Sequence, residues 1–390
     1  MFISILRRIF KAKFIIISSF FIYIFYYFGI FTHIFERDFY SDFDYPLQGD
    51  VPKFVKLLRN GKLPNVKPIN SYEYPYINEV RQKCFAENLT VKPHLVIIVK
   101  SALDHFEKRL YIRQTWGYEH RFSDVLIKTV FVLGTTKFSD SNFKSKLSFE
   151  SKKFNDILQV NFFDSYFNNT IKTMVGIKWA VTRCPLSKFY LFVDDDYYIS
   201  IKNVLMYVRN PVAYPEFLEE TQEVMHQAAR SLSYSNKTYD VLLQSGIPIR
   251  NKRNILDYEL DEAVRLFAGY VFITKPHRHR SSKWYIPLSE YPWNMWPAYV
   301  TSGAYILSKE ALHDLYYTSL YTKHFRFDDI FLGLVAMKAH IEPLHSNHFY
   351  FHKAPYSEPA SYKYVIASHG FSDPKEMFKI WNDVRSAGYA

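Results

Sequence analysis

The stretch Phe189-Tyr-Leu-Phe-Val-Asp-Asp-Asp-Tyr-Tyr-Ile199 sets five apolar or aromatic residues directly against three carboxylates. Five such residues are too few for a helix and too uniformly hydrophobic for a half-exposed strand, so Phe189 to Val193 reads as a strand buried on both faces. Unpaired carboxylates cannot follow it into a core, because burying each costs several kcal/mol or more. The acids therefore mark the strand's exit, and in open α/β sheets the carboxyl ends of strands are where ligands bind. The period of extended chain puts Asp194 and Asp196 on one side and Asp195 on the other. Two carboxylates facing the same way can hold a divalent ion; hard oxygen ligands with open positions suit Mg²⁺ or Mn²⁺ bridging a diphosphate, and do not suit a closed zinc site. A solvated acidic turn explains an isolated Asp-x-Asp equally well, so the surroundings have to choose.

Upstream, Leu95 to Val99 and Lys128 to Leu133 read as further strands. Phe106 to Trp116 and Phe167 to Val181 read as helices between them. Strand and helix in alternation predict an α/β domain with a mostly parallel sheet and helices on both faces. Downstream the pattern loosens: a helix around Glu216 to Leu232, then strands at Val241 to Ile249 and Tyr270 to Thr274. Asp373 and Pro374 open a late helix, with Glu376 placed for an N-terminal cap and Met377, Ile380, Trp381 and Val384 along one apolar face.

With 390 residues, 48% hydrophobic and 19% aromatic, the chain can bury a large core and is too apolar for disorder. The net charge of +11 comes from scattered Lys and Arg, with no zinc-finger, RRM or basic-helix pattern, so no nucleic-acid partner is expected. Arg7, Arg8, Lys11 and Lys13 precede a run without formal charge from Phe14 to Phe35, and Glu36, Arg37 and Asp38 follow it. As a helix the run would span roughly 33 Å, enough for a bilayer core. Basic residues favour the cytoplasmic side. The expected order is a cytoplasmic tail (1–13), a signal-anchor helix (14–35), a Pro-interrupted stem (36–92) and a lumenal domain (93–390). A cleaved signal peptide fits less well, since the run is long and no A-x-A-like site follows. In an oxidising lumen Cys84 and Cys184 could pair or remain buried thiols, and Asn88, Asn168 and Asn236 are glycosylation acceptors.

Several blocks, in order, resemble the β-1,3-glycosyltransferases of the galactosyltransferase type, glycosyltransferase family 31. They are Arg109-Leu-Tyr-Ile-Arg-Gln-Thr-Trp-Gly117, Phe131-Val-Leu-Gly134, Asp164-Ser-Tyr166 with Asn169-Thr-Ile-Lys-Thr173, and Val193-Asp-Asp-Asp196. Lys283-Trp-Tyr285, Glu290-Tyr-Pro292 with Trp296-Pro297 and Ser302-Gly303, Phe327-Asp-Asp-Ile330, and Pro374 to Trp381 after His369 complete the set. The resemblance implies a GT-A fold on a single-pass type II anchor in the Golgi. It implies transfer of galactose or an N-acetylhexosamine from a UDP-sugar to the 3-hydroxyl of a glycan on glycoprotein or glycolipid, with inversion to a β-linkage.

The same resemblance puts Asp196 and His369 on Mn²⁺, with Asp194 nearby through water or nucleotide; a His ligand favours Mn²⁺ over Mg²⁺. His345, His348 and His352 are rivals for that ligand. Asp329 is the implied base, and Asp328 stands on the acceptor side where the family more often has Glu. The two acids also suit a helix start, where the N-terminal amides would keep a carboxylate ionised. Arg113, Lys172 and Asp195 are candidates for the donor, the two cations being equally readable as ion-pair partners. Tyr291, Trp296 and Tyr299, with Ser302 and Gly303, are candidates for the acceptor sugar, or else packed aromatics. Arg278, Lys283 and Trp284 match the family without an assigned role. A homodimer is a candidate assembly. The alternative function is a membrane-tethered sugar-binding or chaperone-like relative without catalysis.

Overall fold

The computed structural model describes residues 2–86, 89–136, 140–219 and 260–390. Its centre is a run of strands that are apolar throughout because both faces are covered. Strands β4 (Leu95–Lys100), β5 (Ile127–Thr135), β6 (Ile157–Phe163) and β7 (Phe189–Asp194) lie parallel in the order β6-β5-β4-β7. Alternation splits their side chains between two cores. Val96, Ile98, Val130, Val132, Tyr190 and Phe192 pack on one face with α6 (Asn169–Arg183), α8 (Lys309–Ser319) and α9 (Asp328–Lys338). Leu95, Ile97, Val99, Phe131, Leu133, Leu191 and Val193 pack on the other with α4 (Phe106–Gln114), α7 (Ile201–Tyr207) and α10 (Pro374–Ser386).

The sheet is mixed, where a mostly parallel one was expected. Strand β10 (Tyr299–Ser308) runs antiparallel to β7, with Ala304 opposite Val193, and β9 (Phe267–Phe272) runs antiparallel to β10. Strand β1 (Tyr76–Asn78) pairs antiparallel with β6, while the short β11 (Leu344–His345) is parallel to β9. The sequence hides β10 because its first half, Tyr-Val-Thr-Ser-Gly, lacks a clean alternation. There its register with β9 shifts, between Val300 and Tyr305, as a bulge does beside many active sites. The helix expected from Glu216 and the strand expected at Val241 to Ile249 lie largely or wholly outside the described residues.

A three-stranded sheet joins the two ends of the chain's chemistry. Strand β13 (Ala367–Ser368) pairs antiparallel with β8 (Tyr198–Ile199), Ser368 opposite Tyr198, and parallel with β12 (Phe349–Tyr350). This register sets His369 beside Asp196, and the Phe371 amide donates to the Asp196 carbonyl at 2.9 Å. Helix α10 then begins at Pro374 with Asp373 accepting from the Lys375 amide; Glu376, expected to help cap it, instead pairs with Lys353.

Helix α1 spans Phe2–Tyr27, so it takes in the basic residues and stops short of Phe35. The segment expected to be a stem is built into the domain. Glu36 pairs with Arg278 at 2.7 Å, Tyr45 packs against Tyr291 and Trp293, and α2 (Phe39–Asp42) lies alongside. Helix α3 (Val51–Arg59) packs Phe54 on Tyr321 and pairs Arg59 with Glu310 and Asp314 of α8. A disulfide joins Cys84 to Cys184, the C-cap of α6, with a Cα–Cα distance of 5.3 Å.

Candidate active site

The carboxyl ends of β4 and β7 lie side by side in the sheet, Lys100 opposite Asp194. The last residue of each strand is charged, and the two charges meet: Lys100 Nζ stands 3.0 Å from Asp194 Oδ1. On its other side Lys100 pairs, also at 3.0 Å, with Asp328 Oδ2 at the first turn of α9. Lys100 is buried, so this ion triad must carry its own compensation. Asp328 receives more: Thr173 Oγ1 donates at 2.7 Å and Asn169 Nδ2 at 3.0 Å, both from α6, and Ser302 adds a further hydrogen bond. Burial alone would raise the Asp328 carboxyl, but the Lys100 charge and these donors hold it below the usual carboxylate range.

The neighbouring acids go the other way. Asp329 is half-buried and hydrogen-bonds the Ile330 amide at 2.8 Å. Burial, reinforced by the Asp328 charge, pushes its carboxyl up to about 7. The helix N-terminus alone would have kept it ionised, as the sequence suggested; desolvation wins. Asp194 is likewise raised to about 7, by burial first, although Lys100 opposes the shift. An anchored anion beside raised carboxyls is the pattern by which acid and base roles are separated in one site.

Asp196 and His369 form the outer corner, with His369 Nε2 3.2 Å from Asp196 Oδ2. His369 Nδ1 lies 3.1 Å from the Phe351 carbonyl, so a proton on Nδ1 leaves Nε2 free as a ligand. The Asp196 contact raises the His369 pKa. The second Asp196 oxygen, Oδ1, is buried without a hydrogen-bond partner, a cost that a cation would remove. Among the described residues no group of three or more His, Cys, Asp or Glu side chains is arranged to hold a metal ion by itself. The donor set therefore fits a divalent ion that takes its remaining oxygens from phosphate and water, and does not fit a closed site. The Tyr197 ring packs 4.9 Å from the His369 ring, tilted by 36°, and steadies its pose.

A family model for galactosyltransferases matches residues 107–244 and 248–347. The chain is 41% identical to "Beta-1,3-galactosyltransferase brn" of Drosophila melanogaster, over 93% of both chains. It is 31% identical to "Beta-1,3-galactosyltransferase 1" of Homo sapiens, over 82% of this chain and 81% of that one. "Beta-1,3-galactosyltransferase 2" of Mus musculus is 26% identical over 84% of this chain and 67% of its own. The chain belongs to the galactosyltransferase family.

Within this galactosyltransferase-family chain, Asp194, Asp196, His369, Asp328 and Asp329 come together and other candidates do not join them. The Arg113 guanidinium is taken up by Asp156, at 2.7 and 2.8 Å, and by Glu150 at 2.8 Å, between the Phe131 and Phe154 rings. Lys172 is buried against Asp164 at 2.7 Å and the Ser101 carbonyl at 2.8 Å. Both cations serve as internal ion-pair partners. Both Asp195 oxygens are held, by His105 at 2.8 Å and Lys108 at 3.1 Å, which offset burial and lower its pKa. Tyr291 and Trp296 pack on each other at 4.0 Å and are buried, the Tyr291 hydroxyl donating to the Met295 carbonyl, so neither presents a ring to a sugar. Tyr299 hydrogen-bonds Thr274 at 3.0 Å. Gly303 allows a close approach, but by Tyr197: a Cβ there would collide with the phenol oxygen. Of the rival histidines, His345 pairs with Asn347 through Nε2 and accepts from the Val271 amide at Nδ1, away from Asp196.

Sequence reasoning missed Lys100, Thr173 and Asn169 as the cradle of Asp328. Lys100 left a signal, a charge ending an apolar strand next to the acid-ended one. Tyr166 and Trp284 stood in family-matching blocks without an assigned role. They are exposed and hydrogen-bonded to each other at 2.9 Å, and the Tyr166 hydroxyl feels the charges of Asp329, Asp328 and Asp194. Of the acceptor asparagines, Asn168 donates its amide to the Phe163 carbonyl at 2.8 Å; Asn88 and Asn236 lie outside the described residues.

Proposed function

We propose that the chain is a UDP-sugar-dependent β-1,3-galactosyltransferase of GT-A type that acts with inversion in the Golgi lumen. The observation that carries this reading is Asp329, a half-buried carboxyl raised to about 7 beside the anchored Asp328 and within one cluster with Asp194, Asp196 and His369. The relatives' printed activity, β-1,3-galactosyl transfer, supports galactose as the transferred sugar.

In the proposed reaction the acceptor 3-hydroxyl attacks the anomeric carbon of the sugar as the bond to the diphosphate breaks on the opposite face. Asp329 takes the hydroxyl proton, for which a pKa near the working pH is well matched. Asp328, locked by Lys100, Thr173 and Asn169, fixes the start of α9 and so the aim of Asp329. Asp196 and His369 would hold Mn²⁺, with Asp194 nearby, through water or nucleotide. When bound, the ion would neutralise charge developing on the departing UDP. Tyr166 offers an exposed ring face for an acceptor sugar. Helix α1 serves as the type II anchor: Phe10–Tyr27 is apolar enough to cross a bilayer and wholly unburied by protein.

The deciding experiment follows UDP release by the full chain in detergent from a panel of UDP-sugars, with and without Mn²⁺ and an acceptor glycan. Release that prefers UDP-galactose, needs the ion and collapses in Asp329→Asn is expected. UDP binding without turnover of any donor would instead favour a non-catalytic sugar-binding protein.

A further inference from the structure

The exit of helix α1 is fastened to the domain with no slack. After Tyr27 the chain turns at Gly29, whose φ of +73° suits glycine and whose added Cβ would strike the Arg278 carbonyl. Glu36 then pairs with Arg278, a guanidinium buried completely and shared with the carbonyls of Ile286, Tyr291 and Trp293 at 2.9 Å. Arg37 exchanges backbone hydrogen bonds with Pro292 and Asn294 at 2.9 and 3.0 Å. The helix end itself is gripped: the Arg280 amide donates to the Tyr27 carbonyl, its guanidinium lies 4.3 Å over the Tyr26 ring, and Phe28 meets His279 at 4.7 Å.

Around this junction lies apolar surface that water should not keep. Phe28, Ile30 and Phe31 remain exposed after leaving the helix, and Ile34 and Phe35 are 73% and 71% exposed. Beside them Lys283 sits 4.5 Å over the Trp284 ring, and Trp284 is 45% exposed. Exposed apolar groups ringed by Arg, Lys, Tyr and Trp have the composition of a membrane–water boundary. A contiguous patch of this kind marks an interaction surface. Its occupant is set by continuity, since the patch begins where the chain's own apolar helix ends.

We propose that the face formed by residues 28–35 and 279–285 lies on the headgroup layer of the bilayer that holds helix α1. The catalytic domain then sits directly on the membrane, with Trp284 at the boundary. This rests on the anchor reading of α1, and the test separates the two. The chain has six tryptophans; Trp116, Trp179, Trp293, Trp296 and Trp381 are buried, and Trp284 alone is exposed. The full chain is reconstituted in phosphatidylcholine vesicles, with and without a nitroxide on the lipid headgroup, and tryptophan emission is compared between wild type and Trp284→Phe. The expected result is loss of the Trp284 contribution in labelled vesicles, with no such loss in Trp284→Phe, and a weaker loss in the Arg280→Glu, Lys283→Glu double variant. Vesicle flotation with equal emission, labelled or not, overturns the docked face while leaving the anchor standing. Failure to float with vesicles overturns both.

Discussion

Lys100 holds Asp328 ionised, and Asp328 in turn helps raise Asp329. Removing the cation should therefore destabilise the site. Lys100→Met leaves two carboxylates in a desolvated site without their partner, and should cost about 3–5 kcal/mol, read as a lowered thermal midpoint in detergent. Asp329→Asn keeps the shape and removes the proton acceptor. Transfer should fall by roughly 10²- to 10⁴-fold while the melting temperature changes little. Because Asp329 is raised to about 7 and, as the proposed base, acts deprotonated, kcat/KM in the wild type should rise with pH up to about 7 and then level. The residual activity of Asp329→Asn should lack that acid limb. The sequence marked Asp329 through its resemblance to a family motif. It could not mark the direction of the shift, because burial at this helix start depends on β10 and α6, which arrive from elsewhere in the chain.

Strand β10 carries the second tier of the site. Its early residues run past the end of β7, and Gly303 leaves room for the Tyr197 ring that steadies His369. A methyl group there has no free space, since the phenol oxygen and two ring carbons of Tyr197 occupy it. Gly303→Ala should destabilise by about 1–3 kcal/mol and, by tilting Tyr197 against His369, raise the Mn²⁺ concentration needed for half-maximal transfer. Calorimetry and a metal titration of activity check the two effects. An unchanged metal requirement would dissociate Tyr197 from the proposed ion site. Legibility at this scale followed the local pattern. The apolar runs at Leu95, Lys128 and Phe189 and the late helix after Pro374 stood out by their periodicity. Strand β10 did not, because a register shift and a small-residue stretch erase the alternation that betrays a strand. Tyr291 and Trp296 misled for a related reason. In a chain with 32 Tyr and 35 Phe, aromatic identity says little about whether a ring is packed or presented.

For the molecule as a whole, the N-terminal quarter was the least legible part. Pro46, Pro52, Pro64, Pro68 and Pro75 interrupt periodicity, which reads as a linker, yet every stretch between them finds a tertiary partner. Asn70 donates to the carbonyls of Ser319 and Thr322 at 2.6 Å, Tyr72 is buried, and β1 extends the sheet. Such contacts join residues hundreds of positions apart, and no local pattern announces them. The disulfide between Cys84 and Cys184 closes this wrap over a separation of 100 residues. In the chain-entropy account a loop of that length is worth about 4–5 kcal/mol. Dithiothreitol should therefore lower the melting temperature of the wild type markedly, and the Cys84→Ser, Cys184→Ser double variant should melt lower and show no response to the reductant.

The buried Glu36–Arg278 pair also decides where the protein can be cut. A secreted form is ordinarily made by trimming a membrane enzyme back to its first predicted strand, which here would be near Leu95. That boundary would discard the partner of a fully buried guanidinium, one sheet strand, α3 and half of the only cystine, leaving Cys184 as an unpaired thiol. A soluble enzyme has instead to begin between Tyr27 and Glu36, with Phe28, Ile30, Phe31, Ile34 and Phe35 replaced by polar residues to keep the new terminus from self-associating.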